Sequence, residues 1–266
     1  IQKNLNKIPP LVCMWYYAYK LISDQTSKEA YSVLKKNLRF HLNQIPAGDA
    51  RNFAVFLQKS LRNQTSITRQ IYLEELFDIY LIEIQEGWLL KNGVINYIDF
   101  NNVVSASLAL GHIAWAEKFI LDYKKHLISE VGGDIVKYNT ARISFINKDF
   151  ISCLQLLSTT NYLDIAVTLR VKRLEIQCFY ELRDWAQLYT VENAYRVYLH
   201  RLDEKREAAK EANLQFLKLI NILSKAETTD SRKKVIEKAQ AIIERNPLLP
   251  ELEWIKSQLK VIAREN

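Results

Sequence analysis

The sequence predicts an all-α chain in which antiparallel helix hairpins stack one after another as an α-solenoid of about 12 helices. Three observations carry that expectation. First, one pattern recurs: an apolar helical stretch, a short polar turn, then an aromatic that opens a second helix. It appears as Leu110-Gly111-His112-Ile113-Ala114-Trp115, Ile146-Asn147-Lys148-Asp149-Phe150 and Leu182-Arg183-Asp184-Trp185, with Trp115, Phe150 and Trp185 standing 35 residues apart, twice in succession. No single hairpin buries its own apolar face, so units of this period gain a core by stacking. Second, the chain holds 6 glycines and 5 prolines in 266 residues, too few for a turn-rich β architecture. Third, Leu, Ile, Lys, Glu, Ala and Gln dominate, all of them compatible with helix. Nothing resembling a Gly/Pro/Ser-rich linker divides the chain. It is therefore expected to form one domain, residues 1–266, with N-terminal helices over 1–92, three repeats over 93–200 and capping helices over 201–266.

In order along the chain, residues 10–23 are apolar almost all round, as expected of a helix buried between neighbours. Thr26-Ser27-Lys28-Glu29 has the pattern of a capping box, with the Thr26 hydroxyl at the helix start. The helix that follows runs to about Asn43, with Ala30, Tyr31, Leu34, Leu38 and Leu42 on one face. Ile45-Pro46-Ala47-Gly48 breaks it, and Asp49 is placed to cap a helix over 50–64. Residues 67–86 form a longer helix with Ile71, Leu76, Ile79, Tyr80, Ile82 and Glu83 inside and Glu74, Glu75, Asp78 and Glu86 on a solvated face. The repeats supply helices near 96–110 and 114–127, 134–147 and 149–157, and 163–182 and 184–200. Gly132-Gly133 and Asn161-Tyr162 fall between them. Helices from Asp203 to about Lys225, over 230–244 and over 248–263 complete the chain. The last carries Trp254 and is placed to cap the stack.

The net charge of +7 is unevenly distributed. Residues 1–70 carry 11 Lys/Arg against 3 Asp/Glu, and residues 71–100 carry one Lys against six acids. The basic quarter suits an acidic partner or a nucleic acid. It equally suits docking on the acidic helix that follows it, which is the preferred explanation. Cys13, Cys153 and Cys178 are widely spaced and odd in number, as in a cytoplasmic protein with reduced, buried thiols. The longest apolar run, residues 9–19, is too short to span a bilayer, so no membrane segment is expected. No GxGxxG, P-loop, HExxH or GxSxG motif occurs. The four histidines have no ligand spacing, and Ser32-Val33-Leu34-Lys35 and Ser231-Arg232-Lys233-Lys234 match SxxK only loosely. Neither an enzyme, a metal nor a cofactor is expected. Asn63-Gln64-Thr65 is a formal glycosylation triplet with no role in a cytoplasmic chain.

The turn and small-residue positions resemble those of tetratricopeptide repeats. Anchored on Gly111, Lys148 and Arg183, the three units place Ile113, Phe150 and Trp185 as the apolar residue after the turn, and Ala116, Cys153 and Leu188 three places later. That register has spacings of 37 and 35, and the gapless one has 35 and 35. The glycine-anchored register is preferred because it puts Ala116 and Cys153 where two helices approach closely. Lys148 and Arg183 in place of glycine, and Leu188 in place of a small residue, depart from the repeat pattern.

The resemblance implies a right-handed superhelix that binds peptides or proteins, with the first helix of each hairpin lining a concave groove. In this register the groove residues are Asn101, Asn102 and Ser105, then Tyr138, Asn139 and Arg142, then Arg170, Arg173 and Gln177. Amide and guanidinium donors at these places suit an acidic peptide or a C-terminal carboxylate. Asn139 and Arg170 match the residues by which members of the class grip such a carboxylate. The expected function is thus a non-catalytic protein- or peptide-binding scaffold, the alternative being a nucleic-acid-binding repeat protein that uses the basic N-terminal quarter.

Overall fold

In a computed structural model, residues 8–63, 67–127, 131–160, 164–226, 232–246 and 249–264 are described, and they are almost entirely helical. Gln64 and Thr65, Asn161 and Tyr162, Ser231 and Pro247 lie outside them. Thirteen α-helices are present among the described residues: α1 (Pro10–Ser23), α2 (Lys28–Phe40), α3 (Ala47–Asn63), α4 (Arg69–Gln85), α5 (Tyr97–Ala109), α6 (Ile113–Tyr123), α7 (Gly132–Ile146), α8 (Phe150–Ser158), α9 (Ile165–Glu181), α10 (Trp185–His200), α11 (Glu207–Ala226), α12 (Arg232–Arg245) and α13 (Leu252–Arg264). The chain divides into two compact units, Ile1–Ile143 and Ser144–Asn266, with the boundary inside α7. In each unit helices pack chiefly on their neighbours in sequence: α1 on α2 and α3, then α3 on α4, α4 on α5 and α5 on α6 in the first, and α8 through α13 in succession in the second. Among the described residues no helix is long and apolar enough to cross a membrane.

The three repeat turns share one geometry. Gly111, Lys148 and Arg183 all adopt left-handed backbone, with φ of 79°, 62° and 55°. The residue after each donates its N–H five residues back, His112 to Ser107 O (2.9 Å), Asp149 to Ser144 O (2.8 Å) and Asp184 to Phe179 O (3.1 Å). This Schellman pairing satisfies carbonyls that the ending helix leaves unpaired. Ile113, Phe150 and Trp185 are then the first residues of α6, α8 and α10, and Ala116, Cys153 and Leu188 are buried. The left-handed residue stands at spacings of 37 and 35, which is the glycine-anchored register. The chain adopts it even where Lys148 and Arg183 lack glycine's freedom at positive φ, because the same hydrogen bonds and an apolar clasp hold each turn. Phe150 packs edge-on against Phe145 at 5.3 Å, and Trp185 likewise against Tyr180 at 5.6 Å.

Several expectations need correction, among them Ile71, expected inside and 46% exposed. Ser27, and not Thr26, caps α2: its Oγ accepts from Ala30 N–H at 3.3 Å, while the Thr26 hydroxyl donates to Asp24 Oδ1 at 2.6 Å. Asp24 lies two residues before Thr26, and its charged oxygen captures the hydroxyl. Asp49 lies inside the first turn of α3, which starts at Ala47, so its carboxylate faces the positive end of the helix without capping it. The α1 helix is buried on one side only. Cys13, Met14, Tyr17, Ala18 and Leu21 face inward, and Val12 (56%), Tyr19 (67%) and Ile22 (54%) are exposed, because α2 and α3 both pack on the same side of it. Glu75 and Asp78 do not form a solvated face. Both are half-buried, and they engage the preceding basic helix: Lys35 pairs with Glu75 and with Asp78 (2.7 Å), Arg39 pairs with Asp78, and the Tyr31 hydroxyl donates to Glu75 at 2.7 Å.

In the second unit a continuous core joins α9 to α13, with Ile176, Tyr195, Leu199, Phe216, Leu217, Ile220, Leu223 and Ile255 fully or almost fully enclosed. Trp254, at the start of α13, donates its indole N–H to Glu181 Oε1 at 2.7 Å and packs edge-on to Tyr180 at 5.4 Å. Gln258 donates to the same oxygen at 2.6 Å, so one carboxylate at the end of α9 docks the final helix by two bonds.

Candidate functional site

The nine residues expected to line a groove separate into three environments. In the first unit Ser105, Tyr138, Asn139 and Arg142 come together. Arg142 Nη1 donates to Ser105 Oγ at 2.9 Å and to Asn139 Oδ1 at 3.0 Å, and its guanidinium lies over the Tyr138 ring at 5.6 Å. Asn139 is fully buried and also donates to Ile135 O at 2.9 Å, which fixes its side chain along α7. Ser105 and Arg142 each stand six residues before the left-handed residue of their hairpins, so their bond joins equivalent places on α5 and α7. Arg142 itself is half-buried. Asn102 is also half-buried. Asn101 is buried, and its Oδ1 has no hydrogen-bond partner among the described residues.

In the second unit Arg170 is exposed on α9, while Arg173 and Gln177, one and two turns on, are buried. Arg173 Nη1 donates to Asn213 Oδ1 at 2.8 Å and Nε to Glu251 Oε1 at 3.0 Å. Asn213 Oδ1 also accepts from the Tyr195 hydroxyl at 2.7 Å, and its Nδ2 donates to Ala209 O at 2.6 Å. Burial keeps Tyr195 neutral by pushing its pKa well up, against the pull of Arg173. These bonds tie α9, α10, α11 and the residue just before α13, and they use Arg173 Nη1 and Nε. A buried guanidinium with matched acceptors fastens helices together; it is not presented to a ligand.

A further cleft, in the first unit, contains none of the nine. It has a volume of about 320 Å³ between α3, α4, the 88–94 loop and the start of α5. Its loop closes on a tight turn, Lys91-Asn92-Gly93-Val94, in which Asn92 and Gly93 have φ of 54° and 78° and the flanking residues exchange both backbone bonds. Glu83 lines the cleft at 7% exposure and accepts from Gln58 Nε2 at 2.9 Å. Burial, and then the negative charge of Asp99, push its pKa up to about 7, against the bond from Gln58 and the charge of Arg51. The cue for this cleft is present in the sequence, since Glu83 is a lone carboxylate among the inward residues of α4. Its companions Arg51, Gln58 and Asp99 lie on other elements and share no spacing with it. Glu192 on α10 is similar: buried at 5% exposure, with Oε1 unpartnered among the described residues and the pKa raised by burial to about 7.

Cys13, Cys153 and Cys178 are all free and buried. A hydrogen bond with Cys153, together with burial, pushes the Cys178 thiol well up, so it holds its proton at neutral pH. Among the described residues no group of three or more His, Cys, Asp or Glu side chains is gathered as a metal site. The basic quarter is partly engaged within the first unit: Lys35 and Arg39 bind the acidic α4, and Arg51 Nη2 donates to Trp88 O and to Leu90 O (3.2 Å). Compared with models of protein families, with curated proteins and with solved structures, the chain matches none.

Proposed function

We propose that this chain is a non-catalytic, tetratricopeptide-like scaffold of the cytoplasm, which holds an acidic peptide segment or C-terminal carboxylate against the first helices of its hairpins. The observation that carries the reading is the bond from Arg142 to Ser105. Equivalent positions on two successive first helices touch, as stacked repeats require. The same bond, with Asn139 and Tyr138, holds a guanidinium in one orientation through Nη1, and a carboxylate pairs best with a guanidinium already fixed in place. The binding face is therefore assigned to α5 and α7, with Arg142 as the anion-binding group and Asn102 one turn before Ser105 on α5. Arg170, exposed on α9, is a separate cation to test. Arg173 and Gln177 are left out of the face, since burial removes them from any ligand.

Selection from a library of acidic peptides with free C-termini tests the reading. The expected peptides bind with micromolar affinity, lose most of that affinity when the carboxylate is amidated or neutralised, and bind Arg142→Glu at least about tenfold more weakly. Selected peptides that ignore both changes overturn it. The nucleic-acid alternative predicts polyanion binding that falls steeply with salt. With Lys35 and Arg39 engaged by Glu75 and Asp78, weak or no binding at low salt is expected instead.

A further inference from the structure

The cleft around Glu83 stands apart from the face just proposed and does not depend on it. A carboxylate taken out of water is costly unless cations and hydrogen bonds replace the lost solvent. Glu83 is 7% exposed, and Gln58 gives it one hydrogen bond, at 2.9 Å to Oε2. The nearest guanidinium, on Arg51, turns its Nη2 to the carbonyls of Trp88 and Leu90. Asp99, at the mouth of α5, adds a second negative charge to the same cleft. Among the described residues, two carboxylates, the buried Glu83 and the exposed Asp99, thus face a small space together with Arg51, whose Nη2 is bonded to backbone carbonyls, and the exposed Lys91.

We propose that this cleft binds a small molecule through a primary ammonium group, with Glu83 and Asp99 as its anionic partners and Val55, Leu89 and Val94 around its apolar body. An ammonium supplies three donors, and the carboxylates together with the Gln58 carbonyl supply acceptors. A divalent cation fits less well, because it asks for six or more oxygens and, among the described residues, two carboxylates line the space. The volume of about 320 Å³ is at the lower end of small-molecule sites, which matches a body of a few carbon atoms.

The electrostatics set the pH dependence. The groups facing Glu83 are Gln58 and Arg51 from α3, Tyr80 from its own helix, Lys91 from the loop and Asp99 from α5. Burial keeps Tyr80 neutral by pushing its pKa well up and also raises that of Asp99 against the charge of Arg51, and Glu83, at about 7, titrates near neutrality. With its pKa at about 7, Glu83 is mostly protonated at pH 6 and mostly ionised at pH 8. A cationic ligand binds the ionised form, so its affinity rises with pH across that range by about tenfold.

Isobutylamine, isobutyrate and leucine, titrated into the intact chain by calorimetry or amide NMR shifts, test the proposal. Isobutylamine is expected to saturate the site in the millimolar range or below, with the pH dependence just given, and isobutyrate is expected not to bind. Leucine bound as tightly as the amine assigns the site to free amino acids, and weaker leucine assigns it to amines. Glu83→Gln preserves shape and the Gln58 contact and is expected to weaken amine binding at least about tenfold and to remove its pH dependence. Asp99→Asn, at the cleft mouth, is expected to weaken it less. Isobutyrate binding as well as the amine, no saturable amine binding, or full amine affinity in Glu83→Gln each overturns the proposal.

Discussion

Arg142 and Arg173 are both basic residues in the middle of a first repeat helix, at different places in the repeat, and their surroundings in the two units differ in kind. Arg173 is 8% exposed, and its donors meet Asn213 and Glu251, groups 40 and 78 residues away along the chain. Arg142 touches a hydroxyl, an amide oxygen and an aromatic face, all neutral, and is half-buried. A buried charge bound to another charge serves the fold. A charge steadied by neutral groups at the edge of the protein keeps its electrostatic capacity for something else. The two arginines therefore predict opposite consequences when removed.

The largest effect is expected at Arg173. Arg173→Ala leaves Asn213 and Glu251 without their shared partner and is expected to cost about 3 kcal/mol in chemical unfolding. A cost below about 1 kcal/mol would break the contrast from that side. Glu192, on the same helix as Tyr195, sharpens it from the other, being a buried carboxylate with an unpartnered oxygen among the described residues. Its pKa rises from 4.5 to about 7 on folding, so the native state keeps a proton that the unfolded chain releases between those values. Stability is then lost as pH rises through that window, fully above about 7 and not at all below about 4.5. Glu192→Gln is expected to stabilise by about 2 to 3 kcal/mol at pH 8 and to be neutral at pH 4, as read from denaturation midpoints at the two values.

Smaller effects belong to the first unit and the turns. Arg142→Ala removes two hydrogen bonds to neutral groups and leaves the buried Asn139 Oδ1 without its donor, and is expected to cost about 1 to 2 kcal/mol. Lys148→Gly and Arg183→Gly replace side chains at left-handed φ and are expected to stabilise by about 0.5 to 1 kcal/mol each, provided the Schellman bonds are kept.

Those turns were also the most legible part of the sequence. Gly111, the apolar residues that follow it and the spacing of Ala116 and Cys153 are local signals, and local signals decide where a helix ends and the next begins. The caps were less legible: Asp149, Asp164 and Asp184, which each accept from the amide three residues on, were not singled out as caps, Asp49 lies inside α3, and the choice between Thr26 and Ser27 depended on the competing carboxylate of Asp24. What sequence spacing does not carry is which side of a helix its neighbours cover. That hid the burial of Arg173 and Gln177, where the Arg173 partners come from α11 and the residue before α13, and it hid the open face of α1, where two helices crowd one side. Glu83 was placed inward correctly by its position among Ile79, Tyr80 and Ile82. Its companions Gln58 and Asp99 reach it from separate elements, and no periodicity links them.

The contrast between the two arginines is tested most directly by measuring the affinity of one selected acidic peptide for the wild-type chain, Arg142→Ala and Arg173→Ala under conditions where all three are folded. The account predicts at least about a tenfold loss for Arg142→Ala and less than about a twofold change for Arg173→Ala. Undiminished binding by Arg142→Ala, or a loss confined to Arg173→Ala, would contradict it.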